Sequence, residues 1–174
     1  GVATTRSHPY SIAIGDVNGD TFVDFAVPND GSNNVTILLG NGSGGFSSTG
    51  VPDVTAGNRP QSVVLGHMNG DGRLDLAVAN RSSGNVMIFL GNGLGGFSQA
   101  PGSPFPSGPN PSALAAGDVN GDGKLDLAVA DFGSNTVLIF LGNGSAGFSQ
   151  SAGSPVPVGG GQSAIALGDL NGDG

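Results

Sequence analysis

With 174 residues, no cysteine and no apolar run long enough to cross a bilayer, the chain excludes disulfide and thiol chemistry and membrane insertion. Thirty-four glycines and eleven prolines argue against helices of any length, and no collagen triplet explains them. The formal net charge is −8, every acid is aspartate and only five residues are basic, which makes nucleic acid and anionic membranes poor partners. The N-terminus lacks a charged-then-apolar leader pattern, so the expectation is a mature or excised, soluble piece.

Taken in chain order, one unit of 51 residues repeats without a gap. Residues 1–9 align with the tail of a repeat, Pro9 matching Pro60 and Pro111. Three full units follow at 10–60, 61–111 and 112–162, and 163–174 begins a fourth. Each unit opens on a short apolar strand of small residues (Ser11–Ile14, Ser62–Leu65, Ala113–Ala116, Ala164–Leu167), suited to a crowded inner position. An aspartate loop follows, then a second strand at Val23–Val27, Leu74–Val78 and Leu125–Val129. After a polar turn comes a continuous apolar third strand at Val35–Leu39, Val86–Leu90 and Val137–Leu141. A Gly-Asn-Gly turn then leads to Phe46, Phe97 or Phe148 and a Ser/Gly/Pro-rich fourth strand fit for an outer edge.

The aspartate loops carry the chemistry. In Asp118-Val-Asn-Gly-Asp-Gly-Lys-Leu-Asp126, oxygen-bearing side chains fall at positions one, three, five and nine: Asp118, Asn120, Asp122 and Asp126. The Lys124 carbonyl is the expected backbone donor, and glycines supply the positive φ of a tight turn. Hard oxygen donors in irregular array suit calcium better than magnesium, and no soft ligand invites zinc or copper. The loop at 16–24 keeps Asp16, Asn18, Asp20 and Asp24 with the Phe22 carbonyl, but Thr21 stands where glycine belongs and is expected to distort it. At 67–75 the first carboxylate is His67, a poor calcium ligand, leaving Asn69, Asp71, the Arg73 carbonyl and Asp75 for a weaker, partly hydrated site. The fourth copy offers Asp169, Asn171 and Asp173 and lacks its ninth position, so it binds only if another chain completes it. An EF-hand is excluded, because position twelve is Val27, Val78 or Val129 within a strand.

Four strands per unit, buried on both faces and stacked around an axis, imply an all-β fold: a partial β-propeller of four-stranded antiparallel blades. A parallel β-helix has much shorter coils. The Asp-x-Asn-Gly-Asp-Gly-x-x-Asp loop, Leu-Ala-Val-Ala and Gly-Asn-Gly-x-x-Gly-Phe together resemble the FG-GAP repeats of integrin α-subunit propellers, and more closely the bacterial VCBS-type version. The resemblance covers the whole chain. It implies a calcium loop joining the first two strands of each blade, and ligand recognition on the opposite face.

No enzyme is expected. The paired aspartates repeat identically and lack an apolar setting to raise a pKa, and neither His8 nor His67 has a serine partner in sequence. Copies differ most in the turns after the second strand (Asn29-Asp30-Gly31, Asn80-Arg81-Ser82, Asp131-Phe132-Gly133) and in the links around Tyr10, Arg59 and Asn110. Such variation is the ordinary drift of surface loops. The alternative is a ligand face anchored by Tyr10, Arg59, Arg81 and Phe132, at the end away from the aspartate loops. The expected role is a calcium-stabilised, non-catalytic binding module for adhesion or for protein or carbohydrate recognition, extracellular or at the cell surface. The alternatives are an accessory domain of a secreted enzyme or a purely structural, self-assembling repeat. Because blades bury their faces only against neighbours, either the chain is cut from a longer propeller or, as the favoured expectation, two copies associate into a ring of about six or seven blades.

Overall fold

The computed structural model describes residues 6–48 and 50–169, and every regular element among them is a strand. The first sheet holds β1 (Ala13–Gly15), β2 (Asp24–Asn29), β3 (Asn34–Gly40), β4 (Phe46–Ser47) and β5 (Val54–Thr55). The second holds β6 (Pro60–Gly66), β7 (Asp75–Asn80), β8 (Asn85–Gly91), β9 (Phe97–Gln99) and β10 (Phe105–Pro106). The third holds β11 (Pro111–Gly117), β12 (Asp126–Asp131), β13 (Thr136–Gly142), β14 (Phe148–Gln150) and β15 (Val156–Pro157). Every pairing is antiparallel, and the first four strands of each sheet run as a meander.

The outer strand departs from the expected single element. It is broken in two: β9 pairs with the end of β8 at Phe89–Gly91, and β10 returns to pair with its start at Asn85–Val86. Between them the Ile88 N–H finds the Ser103 hydroxyl instead of a backbone carbonyl, at 2.8 Å. Ser154 serves Ile139 likewise at 2.9 Å. Proline in this stretch lacks the N–H a ladder needs and glycine weakens the strand, and a serine oxygen fills the gap.

Alternation along β7 and β8 builds two cores from one blade. Leu76, Val78 and Phe89 face the first sheet, where they meet Ala26, Val35, Ile37 and Val54. Ala77, Ala79, Val86 and Ile88 face the third, against Leu127, Val129, Leu138 and Phe140. Each large apolar side chain so buried is worth about 1.5–3 kcal/mol, so the blades are held to one another by the same residues that hold each sheet. The result is three blades of a partial β-propeller, open rather than closed into a ring.

The inner strands lie side by side, with β11 against β6 and β6 against β1. Ala164–Leu167, expected as a first strand, forms no ladder. It nonetheless keeps its place in the array, for Leu167 packs over Gly117 as Leu65 packs over Gly15. Ser112 Oγ also donates to the Gln162 carbonyl at 2.8 Å.

Candidate metal loops and the opposite face

Each aspartate loop connects the first and second strands of its blade, so all three lie at one end of the array. In the loop at 118–126, Asp118 is the hub. Its Oδ1 accepts the N–H groups of Asn120, Gly121 and Asp122 at 2.8–3.2 Å, and its Oδ2 accepts that of Gly123 at 2.8 Å. Asn120 Oδ1 and Asp122 Oδ1 then take the next alternate N–H groups, of Asp122 and Lys124. Hydrogen bonds from the Gly123 N–H and its neighbours hold the Asp118 carboxyl below its usual range. The Lys124 N–H and then its ammonium do the same for Asp122, and the Arg73 N–H for Asp71. Burial raises Asp16, but N–H donation from Thr21, Gly19 and Asn18 outweighs it and the net shift is downward. Asp16, Asp71, Asp118 and Asp122 therefore stay anionic at neutral pH.

Asp24, Asp75 and Asp126 do a second job that the spacing did not reveal. All three are fully buried. Asp126 Oδ2 accepts the Val119 N–H at 3.0 Å and its Oδ1 accepts the Gly142 N–H at 2.8 Å, stapling the loop to the end of β13. Asp24 joins Val17 to Gly40, and Asp75 joins Met68 to Gly91, in the same way. Glycine is required at 142 because a methyl group there would run into the Leu125 carbonyl. Burial pushes the Asp75 carboxyl up.

The second loop residue clasps the next blade. The Val17 carbonyl accepts the Gly95 N–H at 3.0 Å, and the Met68 carbonyl accepts the Ala146 N–H at 2.7 Å. The signal was present in sequence, since this position is apolar (Val17, Met68, Val119, Leu170) inside an otherwise polar loop. Val17 and Met68 are buried, whereas Val119 is 42% exposed.

Thr21 corrects one expectation: the loop does not reshape around it. Thr21 takes φ 73°, matching Gly72 at 79° and Gly123 at 77°, so the residue carries the strain and the loop keeps its form. In the second loop the His67 Nδ1 lies 2.9 Å from the Arg73 carbonyl. A carbonyl only accepts, so Nδ1 carries the proton, and the imidazole occupies the backbone oxygen expected to face a cation. Phe22 and Lys124 hold the equivalent carbonyls in the other loops. Among the described residues, no group of three acidic or histidine side chains is poised to hold a metal ion. The donor chemistry, all oxygen in the loops at 16–24 and 118–126, still matches a hard cation. Asp169 is exposed, and Asn171 and Asp173 lie outside the described residues.

At the other end, the variable turns divide into two kinds of residue. Asn29, Asn80 and Asp131 are buried and bond to backbone and neighbouring side chains. The residues after them, Asp30, Arg81 and Phe132, reach the surface side of the turn. Tyr10, Arg81 and Phe132 line one cleft of about 110 Å³. Arg59 does not join them; it pairs with Asp30 at 3.0 Å. The cleft adds Gln61, Ser112, Gln162 and Ser163, which the sequence reading had not singled out. Gln162 had a signal, standing where other repeats have Pro9, Pro60 and Pro111.

A family model described as an FG-GAP-like repeat matches three overlapping stretches, residues 16–78, 67–129 and 118–174. No curated protein matches the chain.

Proposed function

The chain belongs to the FG-GAP-like repeat family, and we propose that it is a calcium-stabilised, non-catalytic binding module that recognises protein or carbohydrate at the end opposite its aspartate loops. The observation that carries the calcium reading is how the loops are tied in. Each is stapled to its own blade through the ninth aspartate, and the first two reach into the next blade through the second residue's carbonyl. A cation held there by Asp118, Asn120, Asp122, Asp126 and the Lys124 carbonyl would offset the repulsion of clustered carboxylates and stiffen the blade. Asp16, Asn18, Asp20, Asp24 and the Phe22 carbonyl form the second such set.

Melting with calcium and with chelator tests this. Binding to the native state alone adds about 2.7 kcal/mol per site at a hundredfold excess over Kd. Asp122→Ala should remove more of the calcium response than Asp71→Ala, because His67 takes the carbonyl of the second loop. A melt that ignores chelator would defeat the reading. Extracellular calcium modules often have Kd values of about 10⁻⁴–10⁻³ M. We accordingly assign the protein to the outside of the cell, a proposal that submicromolar affinity by calorimetry would overturn.

Self-association is a second element of the proposal, and a repeated packing contact favours it. Leu74 and Leu125 tuck against Gly15 and Gly66 of the preceding blade. Val23 stands in the same register of the first blade and is 50% exposed, beside Ile14 at 60%. A second copy presenting a blade face would cover them as Leu74 and Leu65 are partly covered by their neighbours. Light scattering in calcium should give a multiple of 16.9 kDa; a cooperative monomer would refute association.

A further inference from the structure

The cleft at the recognition end is assembled from positions where the repeats diverge. Tyr10, Gln61, Ser112 and Ser163 occupy one register of the 51-residue unit, at the mouth of the inner strands. Arg81 and Phe132 occupy another, in the turns after the second strand. Gln162 completes it as the copy of three prolines.

Two observations bear on what would enter. The first is the state of the cations. Among the described residues Arg6, Arg59, Arg73 and Lys124 each lie within 4.0 Å of an aspartate, at 2.6, 3.0, 3.8 and 3.1 Å. Arg81 is the one basic residue among them without such a partner, in a chain of net charge −8. Its guanidinium sits 5.6 Å from the centre of the Phe132 ring, which orients the fork without neutralising it. The second is Gln162. Its Nε2 and Oε1 are both shielded from water and neither has a hydrogen-bond partner. A buried amide with two unmet groups is rare, and here it lines the cleft.

We propose that this cleft binds a sugar carrying a carboxylate, a hexuronate. The Arg81 fork matches a carboxylate in bidentate geometry. Tyr10 and Phe132, 59% and 45% exposed, offer flat apolar faces to a pyranose ring. Ser163 adds a hydroxyl, and a turn of the Gln162 side chain would bring its unmet amide donor and acceptor to the ring hydroxyls. At about 110 Å³ the cleft is smaller than the ~300–1,000 Å³ of a drug-sized site, so it grips one terminal sugar. An acidic peptide is disfavoured because much of the remaining lining is amide and hydroxyl. The inference rests on the reading of this end as the recognition face, and not on calcium.

The test is an NMR titration of the full chain with methyl β-D-glucuronide, methyl β-D-glucoside and N-acetylglutamate methylamide. The glucuronide should bind at least ten-fold tighter than the other two. Arg81→Gln should erase that preference, Arg81→Lys should keep part of it, and Phe132→Ala should weaken both sugars, the glucuronide more, because the ring also orients the Arg81 fork. Chelator, at a temperature below the melt, should leave the sugar affinity unchanged while lowering Tm, which separates this inference from the calcium reading. Equal binding of the glucoside, tighter binding of the glutamate probe, or no binding of any probe overturns the proposal. So does an Arg81→Gln variant that binds like the parent, or binding that chelator abolishes below the melt.

Discussion

Replacing Asp126 with alanine isolates the staple from the metal chemistry. The carboxylate is fully buried and accepts two backbone N–H groups, Val119 at 3.0 Å and Gly142 at 2.8 Å. Alanine strands both donors. An unpaired buried donor costs about 1–3 kcal/mol, so the upper limit is about 6 kcal/mol. Val119 is only partly shielded, and water recovers some of its share, which brings the expected loss to about 3 kcal/mol. That is a large part of the ~5–15 kcal/mol that holds an ordinary domain together. At about 2–4 °C per kcal/mol for a chain of this size, Tm should fall by about 6–12 °C. The melt is run in chelator, so that a lost metal ligand cannot contribute. Asp126→Asn keeps one acceptor but turns an NH₂ group toward the second N–H, and should lose at least half as much. In calcium the gap between Asp126→Ala and the parent should widen. If Asp126→Ala in chelator melts within 2 °C of the parent, these two hydrogen bonds do not hold the loop to the blade and the reasoning fails.

Three further outcomes are expected. Thr21→Gly should stabilise the protein by about 0.5–1 kcal/mol in urea titration, because it removes a left-handed backbone penalty of about 1–2 kcal/mol and returns part of it as chain entropy; no gain would mean the φ of 73° carries no strain. His67→Asp should enlarge the calcium-dependent rise in Tm and lower the melt in chelator, since it trades the hydrogen bond to the Arg73 carbonyl for a carboxylate; an unchanged calcium increment would show that the second loop fails for another reason. Asp16, Asp71, Asp118 and Asp122 have folded pKa values below the ordinary aspartate value of 3.8, so their stabilisation is present above that pH and is lost as pH falls through the lowered values. Asp75, raised by burial, has the opposite sign, favouring the fold below pH 3.8 and losing that contribution as pH rises through its folded pKa. Stability in chelator should therefore hold down to about pH 4 and fall below it, and a collapse already at pH 5–6 would contradict the direction of the four shifts.

The sequence by itself determined the blade. A fixed 51-residue period, apolar runs of strand length and loops of short oxygen-bearing side chains are local patterns, and β2, β3 and their copies lie within two residues of the expected spans. Phe46, Phe97 and Phe148 open the outer strands as expected. Only the tertiary structure decided what those residues do across a distance. Nothing in the Asp-x-Asn spacing says that Asp126 turns both oxygens to N–H groups 7 and 16 residues away, because the second partner arrives only when β13 folds back. The clasp from Met68 to Ala146 likewise needs the next blade in place. The break in the outer strand depends on whether Ser103 can reach Ile88. At the variable end, sequence pointed to Tyr10, Arg59, Arg81 and Phe132 as a set, and geometry separated them, since Asp30 lies close enough to take Arg59 while no aspartate of the described residues reaches Arg81. Repetition along the chain fixes which residues are equivalent; packing between blades fixes which of the equivalent residues meet.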